Sequence, residues 1–158
     1  MPERPVVLVS MCLMGVACRY DGRDNACPVA AALAKRCELL PVCPEQLGGL
    51  PTPRAPAERQ GDRVIDRCGR DVTDAFSRGA AAAVRLAEQA GARFALLKAR
   101  SPSCGVREIY DGNFDGTLVP GMGMAAEALA ARGIALFDET QEEALLTAVA
   151  ASRIDGTS

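Results

Sequence analysis

The sequence predicts a small three-layer, doubly wound α/β domain, with a mainly parallel sheet and a hairpin excursion. Three observations predict it. Four short apolar runs are continuous rather than alternating, as expected of strands covered on both faces. Ala-rich stretches with helical spacing lie between and after these runs, so strand and helix alternate. The chain has 158 residues, the size of one domain, and a chain of that length buries roughly two-thirds of its unfolded surface. Residues 1–158 are therefore expected to form a single domain, with 150–158 as a frayed tail.

Taken in order, the first run is Pro5-Val6-Val7-Leu8-Val9-Ser10. Pro28 to Arg36 follows as an Ala-rich helix with Pro28 in its first turn, where the missing N–H costs nothing. Leu39-Leu40-Pro41-Val42 is the second strand, and Pro41 marks it as an edge or a bulge. Asp74 to Ala90 places Phe76, Ala80, Ala83, Val84 and Ala87 on one helical stripe, with Gly91 as the left-handed C-terminal residue. Phe94 to Lys98 is the third strand. Met122 to Arg132 is a helix closed by Gly133, and Ile134 to Phe137 is the fourth strand. The last helix opens at Thr140-Gln141-Glu142-Glu143, a capping-box pattern whose acids suit the positive helix end. Two stretches break the alternation. Pro44 to Val72 is rich in Pro, Gly and Arg, with a short strand at Arg63 to Asp66. Ser101 to Gly121 carries the turn signals Asp111-Gly112 and Asp115-Gly116 of a small hairpin. Both begin where a strand ends, and long irregular segments in a compact domain are usually functional.

Composition then removes whole classes of chemistry. The chain contains no histidine, so Ser-His and Cys-His nucleophile pairs and His-ligated zinc are excluded. Any general acid or base must be Asp, Glu, Lys, Tyr, Cys or a bound water. A net charge of −2 supplies no field for free nucleic acid, and two tyrosines with four phenylalanines make no stacking sheet for bases. A polar small molecule is the expected partner. The apolar start is too short for an export signal and no run reaches the length of a membrane span, so a cytoplasmic, non-membrane protein is expected. Thiols stay reduced in that compartment, which leaves the seven cysteines as packed residues, reactive thiols or metal ligands.

Cys12 lies two residues past the first strand, Cys43 directly follows the second, and Cys104 lies past the third in Ser101-Pro102-Ser103-Cys104-Gly105. The carboxyl edge of a parallel sheet is where open α/β folds bind ligands. Neighbouring strands stand about 4.8 Å apart, so three thiolates can converge there on one object. Structural zinc usually takes four ligands and CxxC knuckles, and there is no CxxC here. Three soft thiolates without histidine suit an iron–sulfur cluster better. On spacing alone, plain core packing of these cysteines stands beside that reading.

The motifs resemble a known family. Ser10-Met11-Cys12-Leu13-Met14-Gly15-Val16-Ala17-Cys18-Arg19-Tyr20-Asp21-Gly22 is similar to the opening of the thiouracil desulfidases, formerly catalogued as a domain of unknown function. Val42 to Arg54, Pro56-Ala57-Glu58, Ser101 to Gly105 and Ile109-Tyr110-Asp111-Gly112 continue the likeness in order, over roughly residues 5 to 138. The resemblance implies an oxygen-sensitive [4Fe–4S] cluster held by three cysteines, which carry over to Cys12, Cys43 and Cys104, with one iron not bound by a protein thiolate. It implies removal of sulfur from thiouracils, giving uracil and hydrosulfide without net redox. Cys18 shares the first motif and is the rival to Cys12; it lies farther along the loop and is read as packing or loop support. Cys27, Cys37 and Cys68 lie outside these motifs and are read as structural.

For catalysis, Glu45 is the expected proton carrier, two residues after Cys43, with a salt bridge to a motif arginine as its plainer role. Ser101 and Ser103 would hydrogen-bond substrate, cluster sulfide or water, or serve only the Ser-Pro turn. Arg19, Tyr20, Asp21, Arg54 and Glu58 are candidate pocket residues or solvated loop residues. Lys98 reads as a strand-end surface residue, and Gly48 and Gly49 as backbone-conformation glycines. The expected substrate is a small thiolated nucleobase or nucleoside. Two other functions compete: an enzyme of nucleotide thiolation, which needs an ATP site that Gly121-Met122-Gly123 is too short to make, and a non-catalytic metal-binding or sulfur-carrier module. Oligomeric state is not legible.

Overall fold

The structure, a computed structural model, describes residues 4–154. Four parallel strands form the central sheet: β1 (Val6–Ser10), β2 (Glu38–Val42), β5 (Phe94–Leu97) and β8 (Ala135–Asp138), in the spatial order β2-β1-β5-β8. The helices are α1 (Pro28–Ala34), α2 (Pro44–Leu47), α3 (Thr73–Ala90), α4 (Met124–Ala130) and α5 (Glu142–Ile154). Two antiparallel hairpins stand outside the sheet, β3 (Ala57–Gln60) with β4 (Arg63–Asp66), and β6 (Glu108–Tyr110) with β7 (Leu118–Pro120).

The apolar runs divide between two cores. Val7 and Val9 of β1, with Phe94 and Leu96 of β5, pack against Val29 and Leu33 of α1 and Leu145 and Val149 of α5. The intervening residues Leu8, Ala95 and Leu97 face Val84 and Ala87 of α3 and Ala126 and Leu129 of α4. Successive strand residues point to opposite faces, so a continuous apolar run is what a sheet buried on both sides requires. Burying each such Leu or Val fully is worth about 1.5–3 kcal/mol against leaving it exposed. The layers are thus α1 and α5, then sheet, then α3 and α4, as a doubly wound fold demands.

Pro41 sits in β2, which among the described residues pairs with β1 alone and is therefore an edge strand, where a missing ladder donor is tolerated. Pro28 is the first residue of α1, and Gly91 closes α3 in the left-handed region at φ 69. The final helix differs from expectation. Thr140 does not cap it: Asp138 accepts from the backbone N–H of Thr140 at 2.9 Å, and Gln141 Oε1 accepts from the N–H of Asp138 at 3.0 Å. The Asp138 carboxylate and the Gln141 side chain instead tie down the turn that leads into α5. Residues 150–154 continue α5 rather than fraying, and 155–158 lie outside the described residues. Among the described residues no helix is long and apolar enough to cross a membrane.

Candidate active site

Crossovers decide where the site falls. The β1-to-β2 connection lays α1 on one face of the sheet, and the β2-to-β5 connection lays α3 on the other. The connections diverge between β1 and β5, and ligands of such folds bind in the crevice outside the strand ends at that point. A cleft of about 580 Å³ opens there. Its lining includes Cys12, Cys18, Cys43, Cys104, Glu45, Ser101 and Ser103.

Beyond β1 the chain tightens into a 3-10 turn, Met11–Met14, ended by Gly15 at φ 92. Cys12 lies in this turn and is buried. The loop after it folds back, so that the N–H of Asn25 reaches the Cys12 carbonyl at 2.8 Å and Asn25 Nδ2 donates to Cys12 Sγ at 3.4 Å. Arg19 holds the Asn25 side-chain oxygen at 2.9 Å. The same fold-back brings Cys18 to the cleft, where it is buried against the core, in keeping with the packing expected of it, and also joins the lining. Its one S–H has Cys12 and Cys43 as competing acceptors, which chiefly pushes the thiol well above the ordinary range, so that it keeps its proton. The acceptors respond in the opposite sense. Cys43 is lowered to about 6 by Cys18 and, secondarily, by the Gln46 backbone N–H at the start of α2. Cys12 is lowered to about 7 by Cys18, with Asn25 adding to it.

Cys43 is the N-cap of α2, and Glu45 lies in the first turn of that short helix. Both Glu45 oxygens are engaged. Oε1 accepts from Arg54 Nε at 2.8 Å and Oε2 from the Ser103 hydroxyl at 3.0 Å. The plainer role expected for Glu45, an ion pair with a motif arginine, is therefore present together with a place in the cleft. Arg54 also donates to the Cys18 carbonyl at 2.9 Å, which ties the first and second strand-end loops together. Gly49 has φ 95, as a turn glycine does, but Gly48 serves packing: a Cβ on Gly48 would overlap the Ala75 carbonyl, and one on Gly79 the Pro44 carbonyl. Backbone contact between α2 and α3 thus seats Glu45.

The third loop is wound on Ser101. Its hydroxyl oxygen accepts from the N–H of Ser103 at 3.1 Å and of Cys104 at 3.0 Å. Ser101 is thereby a turn-former whose side chain also borders the cleft, while Ser103 joins Glu45 to Cys104, its hydroxyl lying 3.6 Å from the sulfur. Burial pushes the Cys104 thiol up to about 12, against the pull of the Ser10 and Ser103 hydroxyls. The N-terminal N–H groups of α4 clamp this loop: Ala125 and Ala126 both donate to the Ser103 carbonyl, at 2.9 and 3.0 Å. Gly123 packs on the Ser103 backbone with no room for a Cβ, so Gly121-Met122-Gly123 is a packing element beside the cysteine loop.

Arg19 and Tyr20 line the cleft, and Gly22 at φ 77 closes a turn at Asp21. Lys98, expected at the surface, is half-buried in the cleft lining and pairs with Glu139 at 2.9 Å. Cys27 caps α1 and Cys37 is buried in the core beside α1 and α5, as read, but Cys68 is exposed in the turn after β4 and packs no core. Sequence reasoning missed Asn25, Arg67 and Phe114 in the lining. Asn25 and Arg67 carried no signal; Phe114 stood between two Asp-Gly turns and could have been noticed. Among the described residues no three Cys, Asp or Glu side chains close on a common point as a single metal ion needs.

A doubly wound α/β protein with several cysteines at its strand-end crevice, and a hydrogen-bonded carboxylate beside them, belongs with enzymes rather than with packing domains. The chain matches the family described as 2-thiouracil desulfurase over residues 7–141, and it belongs to that family. It is 36% identical over 146 residues to the Bacillus subtilis (strain 168) uncharacterized protein YbbK, covering 86% of this chain and 97% of that one. Among solved structures it is similar to the [4Fe-4S]-dependent thiouracil desulfidase TudS, with a TM-score of 0.90, 44% identity, and 94% and 99% of the two chains covered.

Proposed function

We propose that this protein is an iron–sulfur-dependent desulfidase that removes sulfur from thiouracil-type nucleobases, giving uracil and hydrosulfide without net redox. The observation that carries this reading is the meeting of Cys12, Cys43 and Cys104, from three different strand-end loops, with Glu45 and Ser103 in one cleft. The family membership and the likeness to a solved thiouracil desulfidase support it.

The donor chemistry fits a [4Fe–4S] cluster. The thiols are soft donors, the chain has no histidine, and the lowered values of Cys43 and Cys12, about 6 and 7, favour the thiolates that iron binds. Cys12, Cys43 and Cys104 would hold it, with Cys104 losing its proton on binding. That leaves one iron without a protein thiolate, and when bound the cluster supplies there a Lewis acid for the thiocarbonyl sulfur. The chain's own residues supply the rest. Glu45 takes a proton from water as the water oxygen adds to the thiocarbonyl carbon, and returns it as the carbon–sulfur bond breaks. One water is consumed: its oxygen stays on uracil, one of its protons leaves with the sulfur as hydrosulfide, and the other passes to solvent. Ser103, bonded to Glu45 Oε2, carries the proton toward the departing sulfur. Ser101 keeps Ser103 and Cys104 in position. Arg54 fixes the carboxylate so that its second oxygen serves the reaction.

The test is sulfide release from 2-thiouracil and 4-thiouracil by anaerobically reconstituted protein. The expected result is sulfide from at least one of them without ATP. ATP-dependent thiolation would favour the thiolating enzyme, and metal uptake with no turnover would favour the carrier module.

A further inference from the structure

Phe114 adopts a backbone conformation that its side chain disfavours. Its φ is 55, in the left-handed region, where a bulky residue is an outlier and Gly or Asn is usual. The neighbouring hairpin holds it there. Glu58 Oε1 on β3 accepts from the N–H of Gly112 at 3.0 Å and from the N–H of Phe114 at 3.1 Å. Gln60, on the same strand, donates its side-chain amide to the Gly112 carbonyl at 2.7 Å. Two side chains are thus committed to fixing one turn. The Phe114 ring is half-buried and borders the cleft. Arg67 sets its guanidinium carbon 5.7 Å from the ring centroid, a cation–π distance that orients the ring.

A turn that only joins two strands has no use for an aromatic residue in that conformation; a binding wall has. Strained backbone maintained by its surroundings concentrates at ligand sites. We propose that Phe114 is a stacking platform that takes one face of a planar six-membered heterocycle in the cleft, with Glu58 as the residue that positions it. The proposal rests on the desulfidase reading for the identity of that ring, a thiolated pyrimidine. The platform selects flat, neutral, aromatic rings, and leaves the thiocarbonyl to be placed by the cysteine and Glu45 side of the cleft.

The experiment uses the cluster-loaded full chain under anaerobic conditions. It reads uracil affinity by calorimetry, and KM and kcat with 4-thiouracil. Phe114→Leu is expected to weaken uracil binding and raise KM by roughly tenfold each, as loss of one base–aromatic stack does, with kcat, iron content and thermal midpoint held. Phe114→Tyr keeps wild-type affinity. Glu58→Ala reproduces the loss, and Glu58→Gln, which retains an acceptor oxygen, restores most of it. Unchanged uracil affinity in Phe114→Leu, or no uracil binding by the wild type, overturns the platform. The two readings separate cleanly: sulfide release with Phe114-independent uracil binding removes the platform alone. Phe114-dependent uracil binding without sulfide release removes the desulfidase reading and leaves the platform.

Discussion

Cys18 holds its proton beside two thiols whose values are lowered. Its hydrogen bonds are the main reason that Cys12 and Cys43 lie below the ordinary thiol range. A residue that keeps its one proton, with two neighbouring thiols competing to accept it, is a poor first choice as ligand and a good organiser of ligands. Cys12→Ala, Cys43→Ala and Cys104→Ala should each lose most of the iron taken up on reconstitution, whereas Cys18→Ala should retain it; iron per chain is the measurement. Were Cys18→Ala alone to lose its iron, it would replace Cys12 in the ligand set. Glu45→Gln should keep full iron content and lose turnover by at least about 100-fold, the usual worth of a positioned acid–base group. Residue positions of this kind were legible where a motif lay directly at a strand end, as with Cys43 and Glu45. They were not legible for Cys18 and Asn25, because their approach depends on a loop that folds back on the Cys12 turn. Chain distance carries no trace of that return.

Elements position the chemistry more than their lengths suggest. The helix α2 is only four residues long, Pro44–Leu47, yet it carries Cys43 at its cap and Glu45 in its first turn. It is held by close backbone contact through Gly48 and Gly79. Gly79→Ala should therefore destabilise the fold by at least about 1–3 kcal/mol through overpacking, and should lower iron uptake as α2 shifts; thermal melts and iron content check both. At the opposite end of the β3–β4 excursion, Asp71 accepts from the Thr73 N–H at 2.9 Å and pairs with Arg63, tying the start of α3 to β4. The Thr73 hydroxyl first, then Arg63, hold its carboxyl below the ordinary range. A depressed folded value stabilises the fold above the unfolded value and loses that contribution as pH falls through the folded one. Asp71→Asn should therefore melt lower than the parent at neutral pH, and the gap should narrow below about pH 4, where a free Asp protonates. The main strands and long helices were readable because their periodicity states their burial. α2 and β3 were not, since four residues between Pro and Gly carry too little pattern.

At the scale of the whole molecule, one sheet with a core on each face brings three loops to one edge. That shared sheet supports our reading of residues 1–158 as one domain. Strand order decides which loops meet: β1 lies between β2 and β5, so the three cysteine-bearing loops are neighbours although Cys12 and Cys104 are far apart in the chain. The architecture was legible in the sequence, and so was the edge that bears the site. Of the far wall, Glu58 was legible as a candidate pocket residue but Phe114 was not, because the two belong to different hairpins and meet only in the folded chain. Exchange of sulfur for a water oxygen with no net redox is tested by giving the anaerobically loaded protein thiouracil in oxygen-18 water without added reductant, and measuring sulfide and uracil together. Equal amounts of hydrosulfide and of uracil carrying one heavy oxygen are expected. Unlabelled uracil, sulfide that appears only when a reductant is added, or no sulfide from protein with its full iron content would contradict it.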